Sequence, residues 1–400
     1  MAAGTAAQLG AEIIVFEKNK RVGRKLCITG KGRCNITNNC TQNVFIENVN
    51  TNPRFMYSAI SNFDCADTMS FFEELGLSLK TERGNRVFPE SDKATDVVSA
   101  LERFAHRSGV TVISANTVKK LIVSDGAVKG VVDSKGEEYT CDAVIVATGG
   151  CSYPLTGSTG DGYKFARQAG HTVINPEPSL IPLCCEGEDL QDCKDMQGLS
   201  LRNIGVRIFK NNKEIYTDFG ELLFTHFGLS GPTILSSSAH IKDPRSKDYS
   251  VSVDMKPALD SDKLDSRLLR DFDKYKNREF SNSLSDLLPS SMIPVVIRRS
   301  GILPSTRCNS ITREQRQNFI KLLKDFRFTV TDTRPLDEAI ITRGGVKTAE
   351  VDPATMQSKL CAGLYFCGEV LDVDAYTGGF NLQIAFSTGR LAGTWAVYNS

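Results

Sequence analysis

The chain opens on Met1-Ala-Ala-Gly-Thr-Ala-Ala-Gln-Leu9, a stretch of strong helix formers, and Gly10 supplies a stop. Ile13-Ile-Val-Phe16 follows as a continuous apolar run of the kind buried in parallel strands, ending on Glu17. Residues 53–108 carry the spacing of amphipathic helices around a hairpin at Glu82-Arg-Gly-Asn85, where Gly84 and Asn85 suit the turn. Short strands are predicted near Val110–Ile113, Val118–Val123 and Val128–Val132, the last two joined through Asp125-Gly126 as part of a meander. Ala143-Val-Ile-Val-Ala147 is another apolar strand, and it runs into Thr148-Gly149-Gly150.

The character changes between residues 180 and 340. A hairpin is predicted over 199–218, turning at Asn211-Asn212, and a strand over 248–254. Residues 260–299 and 311–325 combine dense mixed charge with leucine spacing and read as solvated helices, before Phe326-Arg-Phe-Thr-Val330 returns to strand. Gly363-Leu-Tyr-Phe366 is a short apolar strand running into Cys367-Gly368-Glu369. A loop from Asp372 to Gly379 then leads to a helix over about 382–397.

Helix, strand and terminal acid is the order of a dinucleotide-binding unit, in which the acid takes a ribose hydroxyl. Only 16 residues precede Glu17, so the strand and Gly-x-Gly-x-x-Gly turn that open such a unit are absent, and the chain is expected to begin within its first helix. Lys18 to Arg33 holds seven Lys or Arg and no acid, interleaved with Gly23, Gly30 and Gly32. Such a run is either a solvated basic loop or a wrap in which Arg24, Lys25 and Arg33 neutralise a pyrophosphate. Gly157 to Gly162 is either an ordinary helix start or a further ligand-facing turn. At the end, a Gly-Gly-Phe-Asn loop before a helix presents unpaired N–H groups to phosphate or ribityl oxygens.

Composition narrows the classes. Lys plus Arg number 48 against 47 Asp plus Glu, so no one-signed field draws nucleic acid or an anionic membrane. No apolar run long enough to span a bilayer and no secretory leader pattern is present, which points to the cytoplasm. The 12 cysteines include no Cys-x-x-Cys pair and are read as reduced, mostly buried thiols, with no cluster at metal-ligand spacing.

Four long motifs then occur in order: Gly23-Arg-Lys-Leu-Cys-Ile-Thr-Gly-Lys-Gly-Arg-Cys-Asn35; Ala147-Thr-Gly-Gly-Cys-Ser-Tyr-Pro154 with Thr156-Gly-Ser-Thr-Gly-Asp-Gly162; Leu223-Phe-Thr-His226 with Ser230-Gly-Pro232; and Gly368-Glu-Val-Leu-Asp-Val-Asp374 with Thr377-Gly-Gly-Phe-Asn381. Together they resemble the YhiN-like, also called BaiN-like, FAD-dependent oxidoreductases over essentially the whole chain. The resemblance implies an α/β fold: a two-dinucleotide-binding, Rossmann-like FAD domain with an inserted β-barrel and a small helical domain. The expected partition is 1–185 with 340–400 for FAD, 186–255 with 326–339 for the β-rich insert, and 256–325 for the helices. It further implies Glu17 as ribose acceptor, Arg24 and Lys25 at pyrophosphate or ribityl oxygens, and Gly32, Arg33, Cys34 and Asn35 along the flavin. Val118 would meet adenine through its backbone, and Thr148, Gly149 and Gly150 would pass the dinucleotide. Gly368 and Glu369, within the motif that ends at Asp374, would face pyrophosphate and ribitol, with Gly379, Phe380 and Asn381 near the isoalloxazine.

The same resemblance implies reduction of a double bond conjugated to a ketone, as in 3-oxo-Δ4 or Δ6 bile acids or steroids, with NADH or NADPH as donor and a small-molecule substrate. The alternatives are oxidation of a small amine such as aminoacetone by oxygen, and an RNA-modifying or non-catalytic flavin protein. His226, Tyr153 and Tyr376 are the candidate proton donors, each with a purely structural alternative. Cys34 is read as packing, and His106 and His171 as surface residues.

Overall fold

The alanine-rich start forms the helix Ala2–Gln8, and Gly10 beyond it takes a left-handed φ of 95°. In this computed structural model, which describes residues 1–399, contacts divide the chain into two units. One joins Met1–Ser179 to the chain from Pro335 onward, and the other is Leu180–Arg334.

The first unit is built on two parallel strand pairs. Ile14–Glu17 lies in register with Thr111–Ser114, and Val144–Val146 with Leu364–Phe366. The predicted 110–113 strand therefore belongs beside the first apolar run and not to the meander, which consists of Val118–Ser124, Ala127–Asp133 and Glu138–Thr140. The first run also departs from its expected burial. Ile14 is 42% exposed, because among the described residues this strand is paired along one edge only. Val144–Val146 and Leu364–Phe366 sit deeper, and Phe366 and Leu364 are fully buried. The closing helix, Phe380–Tyr398, is buried along much of its length. It packs with Phe45, Phe55 and Phe366 in one core and contributes Phe386 to a second, with Phe71, Phe72 and Phe104.

Leu180–Arg334 is organised differently. Strands Phe326–Thr329, Tyr249–Asp254, Ser200–Lys210, Lys213–Thr225, Gly228–Ser230, Leu183–Cys184 and Asp332–Thr333 form one antiparallel sheet in that order. The long hairpin turns at Asn211 and Asn212, both left-handed, as their side chains allow. Helices Ser261–Lys274, Ile293–Ser300 and Arg313–Lys324 bury Leu268, Val296 and Phe319 in the same core as sheet residues Ile208, Val251 and Phe328.

His171 is not a surface residue. Its Nε2 lies 2.6 Å from Ser358 Oγ, and its ring meets Phe366 edge-on, leaving the residue 4% exposed. Following a glycine at a helix end says nothing about what packs over the turn.

Candidate dinucleotide site

In open α/β sheets ligands bind beyond the carboxyl ends of the strands. In the first unit those ends carry Glu17, Asn116, Thr148 to Gly150 and Gly368 to Glu369, each at or just past the end of one of the four parallel strands. Two knots of hydrogen bonds form there, one around Glu17 and one around Glu369.

Glu17 Oε1 accepts from Asn19 N at 2.7 Å and from Asn19 Nδ2 at 2.8 Å. Asn19 in turn donates to Thr156 O at 3.0 Å and accepts from Arg24 at 2.8 Å. The Asn116 N–H donates to Glu17 O, which brings the turn before Val118 to the same edge. Lys18 reaches across to Thr159 Oγ1 at 2.6 Å and pairs with Asp161, so the basic run and the 156–162 motif meet. Burial opposes ionisation of Asp161, but its bonds from Lys18, Lys164 and Thr159 outweigh that and hold the carboxyl below its usual range.

A second knot lies at the other strand pair. Lys25 Nζ bonds Glu369 Oε2 at 2.6 Å and Ser152 Oγ at 2.7 Å. Glu369 Oε1 accepts from Ser152 Oγ at 3.2 Å and from Thr342 N at 2.9 Å. A strand ending in Thr-Gly-Gly reads as a site where a ligand nears the backbone. At Gly150 the approaching group is instead the Thr342 hydroxyl, which an added Cβ would meet at 2.4 Å.

The remaining expected contacts separate into two sets. Arg33 is held by Glu82 and by Asp92 at 2.6 Å and lies over the Phe88 ring, so its charge is already balanced. Asn381 folds back on its own loop, bonding Ala375 N and O and Tyr376 O, while Asp374 is fully buried with Oδ2 on Ser179. These two shape the loop ahead of the final helix. Gly379 lies against Thr37, and Phe380 is buried against Phe45. Cys34 is a buried thiol pushed up to about 12 by desolvation and is neutral at physiological pH. Tyr153 has a left-handed backbone with its N–H on Asp337 O, and burial followed by Glu338 raises its phenol. Tyr376 packs beside the core, its N–H on Asn48 O. His226 is exposed in the turn between Lys213–Thr225 and Gly228–Ser230 of the second unit, edge-on to Phe227.

The edge fits a dinucleotide. Thr148 Oγ1 and Asn35 Oδ1 are buried without a partner, and Gly32 faces open space where a side chain would be. Buried polar atoms left unpaired by protein commonly bond a ligand or water. Motif reading missed Asn19, Ser152 and Thr342; Ser152 sits inside a quoted motif, whereas nothing local marks Thr342.

A family model described as the HI0933-like protein Rossmann domain matches residues 1–395. The chain belongs to this family. Its fold is therefore the Rossmann-type, FAD-binding α/β architecture, and membership supports an FAD-dependent oxidoreductase. A 3-dehydro-bile acid delta(4,6)-reductase of Clostridium scindens is 31% identical over 96% of this chain and 92% of the relative. A ribosomal RNA dihydrouridine synthase of Haemophilus influenzae is 30% identical over the same shares. Among solved structures, a 3-ketosteroid delta1-dehydrogenase of Sterolibacterium denitrificans superposes with a TM-score of 0.52 at 10% identity, covering 100% of this chain and 97% of that one, a likeness of fold. Among the described residues no helix is long and apolar enough to cross a membrane.

Proposed function

We propose that this protein is an FAD-dependent reductase of carbon–carbon double bonds conjugated to a carbonyl, driven by NADH or NADPH, with an enone steroid or bile acid as substrate. The observation that carries it is the hydrogen-bonded edge running from Glu17 through Asn19, and from Lys25 through Ser152 to Glu369, at the carboxyl ends of the parallel strands. Those residues suit ribose hydroxyls at one end and phosphate or ribityl oxygens at the other.

The two kinds of relative share a chemistry. The Δ4 bond of a 3-oxo steroid is conjugated to its ketone, a Δ6 bond is conjugated to it through Δ4, and dihydrouridine is uridine with its conjugated ring double bond saturated. At the Δ4 bond and in uridine hydride adds to the carbon β to the carbonyl and a proton to the α carbon, and at a Δ6 bond conjugated through Δ4 hydride adds to the δ carbon and a proton to the γ carbon. FAD, when bound, supplies the hydride transfer. The chain supplies orientation: Glu17 holds the ribose end, and the Lys25 ammonium sits where phosphate charge needs balancing. Tyr153 keeps its phenolic proton, because burial and Glu338 both oppose ionisation, and is a candidate donor at Oη alongside Tyr376 and His226.

A second reading, reduction of uridine in ribosomal RNA, is favoured by relatives of that name at 30% and 29% identity. The near balance of 48 basic and 47 acidic residues favours the small molecule. The test is direct. Flavin-loaded protein, a 3-oxo-Δ4 steroid and NADH or NADPH should yield a product heavier by two hydrogens, whereas unmodified ribosomal RNA should stay unchanged. Saturated uridine with an untouched steroid would transfer the function to RNA. Bleaching of the flavin by aminoacetone, indifferent to NADH and NADPH, would make the protein an amine oxidase.

A further inference from the structure

Thr342 lies in the strand Ile341–Val346, fully buried, and none of the sequence motifs includes it. Its Oγ1 accepts from two consecutive backbone N–H groups, Cys151 at 2.8 Å and Ser152 at 3.1 Å. Its own N–H donates to Glu369 Oε1 at 2.9 Å. One residue thus grips both the loop that leaves the Val144–Val146 strand and the carboxylate that follows Leu364–Phe366. Neither grip is local, since Thr342 is 190 residues from Ser152 and 27 from Glu369.

The bonding capacities close in a specific way. Consecutive amides converging on one point form an anion-binding nest. Here the nest is filled by a hydroxyl oxygen, so these two N–H groups are not available to a phosphate. The anchoring passes to Ser152, also fully buried, whose hydroxyl donates to Glu369 Oε1 and accepts from Lys25 Nζ. An ammonium has three donors. Ser152 and Glu369 occupy two of those on Lys25, and among the described residues no protein acceptor takes the third. Gly150 is the condition for the arrangement, because a Cβ there would lie 2.4 Å from Thr342 Oγ1 and 3.0 Å from Glu369 Oε1.

We propose that Thr342 is a positioning residue for the dinucleotide: by fixing the backbone at Ser152 and the carboxylate of Glu369, it aims the remaining Lys25 N–H at an anionic oxygen of FAD. The proposal rests on the flavin reading above and adds to it the part of the chain that holds the phosphate end in place. Thr342 does not touch the cofactor. It acts through Ser152, Lys25 and Glu369.

The experiment is FAD affinity of the full chain, read by quenching of flavin fluorescence, with urea unfolding recorded beside it. Thr342→Val keeps the shape and removes the acceptor, and FAD should bind about tenfold more weakly, while Thr342→Ser keeps the oxygen and should bind within about twofold of the unaltered protein. Ser152→Ala should weaken FAD by a similar factor, and adding Thr342→Val to it should change little, since both act along one chain of contacts. Unaltered affinity in a folded Thr342→Val, failure of the serine to rescue, or effects that multiply in the double variant would each overturn the proposal. If Thr342→Val does not fold, Ser152→Ala decides, and unchanged affinity there overturns it. An unaltered protein that takes up no FAD overturns the flavin reading itself, and this inference with it.

Discussion

Replacing Gly379 by alanine puts a methyl group where the structure has no room. The residue precedes the helix Phe380–Tyr398 at φ 100°, and a Cβ built on it lies 2.3 Å from both C and O of Thr37. Carbon contacts settle near 3.5–4.0 Å, so either the short strand Thr37–Asn38 or the loop must move by more than about 1 Å. Thr37 cannot move alone, because its hydroxyl bonds Gln383 at 2.6 Å, and the Gln383 amide bonds Phe63 O at 3.1 Å and Ser387 at 2.9 Å. The left-handed backbone costs an L side chain about 1–2 kcal/mol. Adding about 1–3 kcal/mol for the clash and the loosened network, Gly379→Ala should lose about 2–5 kcal/mol. Gly109→Ala separates the two terms, since its φ is 85° with nothing within 4 Å of an added Cβ. That control should lose about 1 kcal/mol. Trp395, the single tryptophan and part of the same final helix, reports urea unfolding by fluorescence. Equal losses in the two variants would show that the strand approach at Thr37 is not tight, and the reasoning would fail.

His171 gives a pH dependence of defined sign. Burial lowers its affinity for a proton and outweighs the nearby Glu350, so the unfolded chain binds more protons below about pH 6.5. Its contribution is present above that pH and lost as pH falls, at most about 1.4 kcal/mol per pH unit; a His171→Asn variant should show a flatter urea midpoint between pH 5 and 7, and an unchanged slope would refute the assignment. Arg299 bonds Asp189 at 2.6 Å, pairs with buried Asp192 and lies over Phe326 and Phe328. Arg299→Met should lose about 3 kcal/mol, Arg298 still balancing Asp192, and a loss below about 1 kcal/mol would count against the cluster. Cys34, raised to about 12 by burial, should resist iodoacetamide at pH 8 in the folded protein and react after denaturation; rapid labelling of the native state, located by peptide mapping, would contradict its burial.

The chain's periodicity settled the elements. The apolar runs before Glu17 and Thr148, the Asn211-Asn212 hairpin and the final helix were all legible, because turn chemistry and the two side-chain periods act over a few residues. The order of the four motifs settled the family in the same way, and with it the edge on which Glu17, Lys25 and Glu369 stand.

Tertiary structure decided which of those residues work together. Arg24, Lys25 and Arg33 look alike in sequence, yet Lys25 joins Glu369 across 344 residues, while Arg33 is held by Glu82 and Asp92. His171 carries no local sign of burial, and Thr342 none of its two amide donors. Asn381 bonds its own loop, while Asp374 bonds Ser179 through one oxygen and keeps the other buried without a protein partner. The physical reason is the same throughout: a hydrogen-bonding side chain takes the partner that packing brings within about 3 Å, and strands distant in sequence determine that partner.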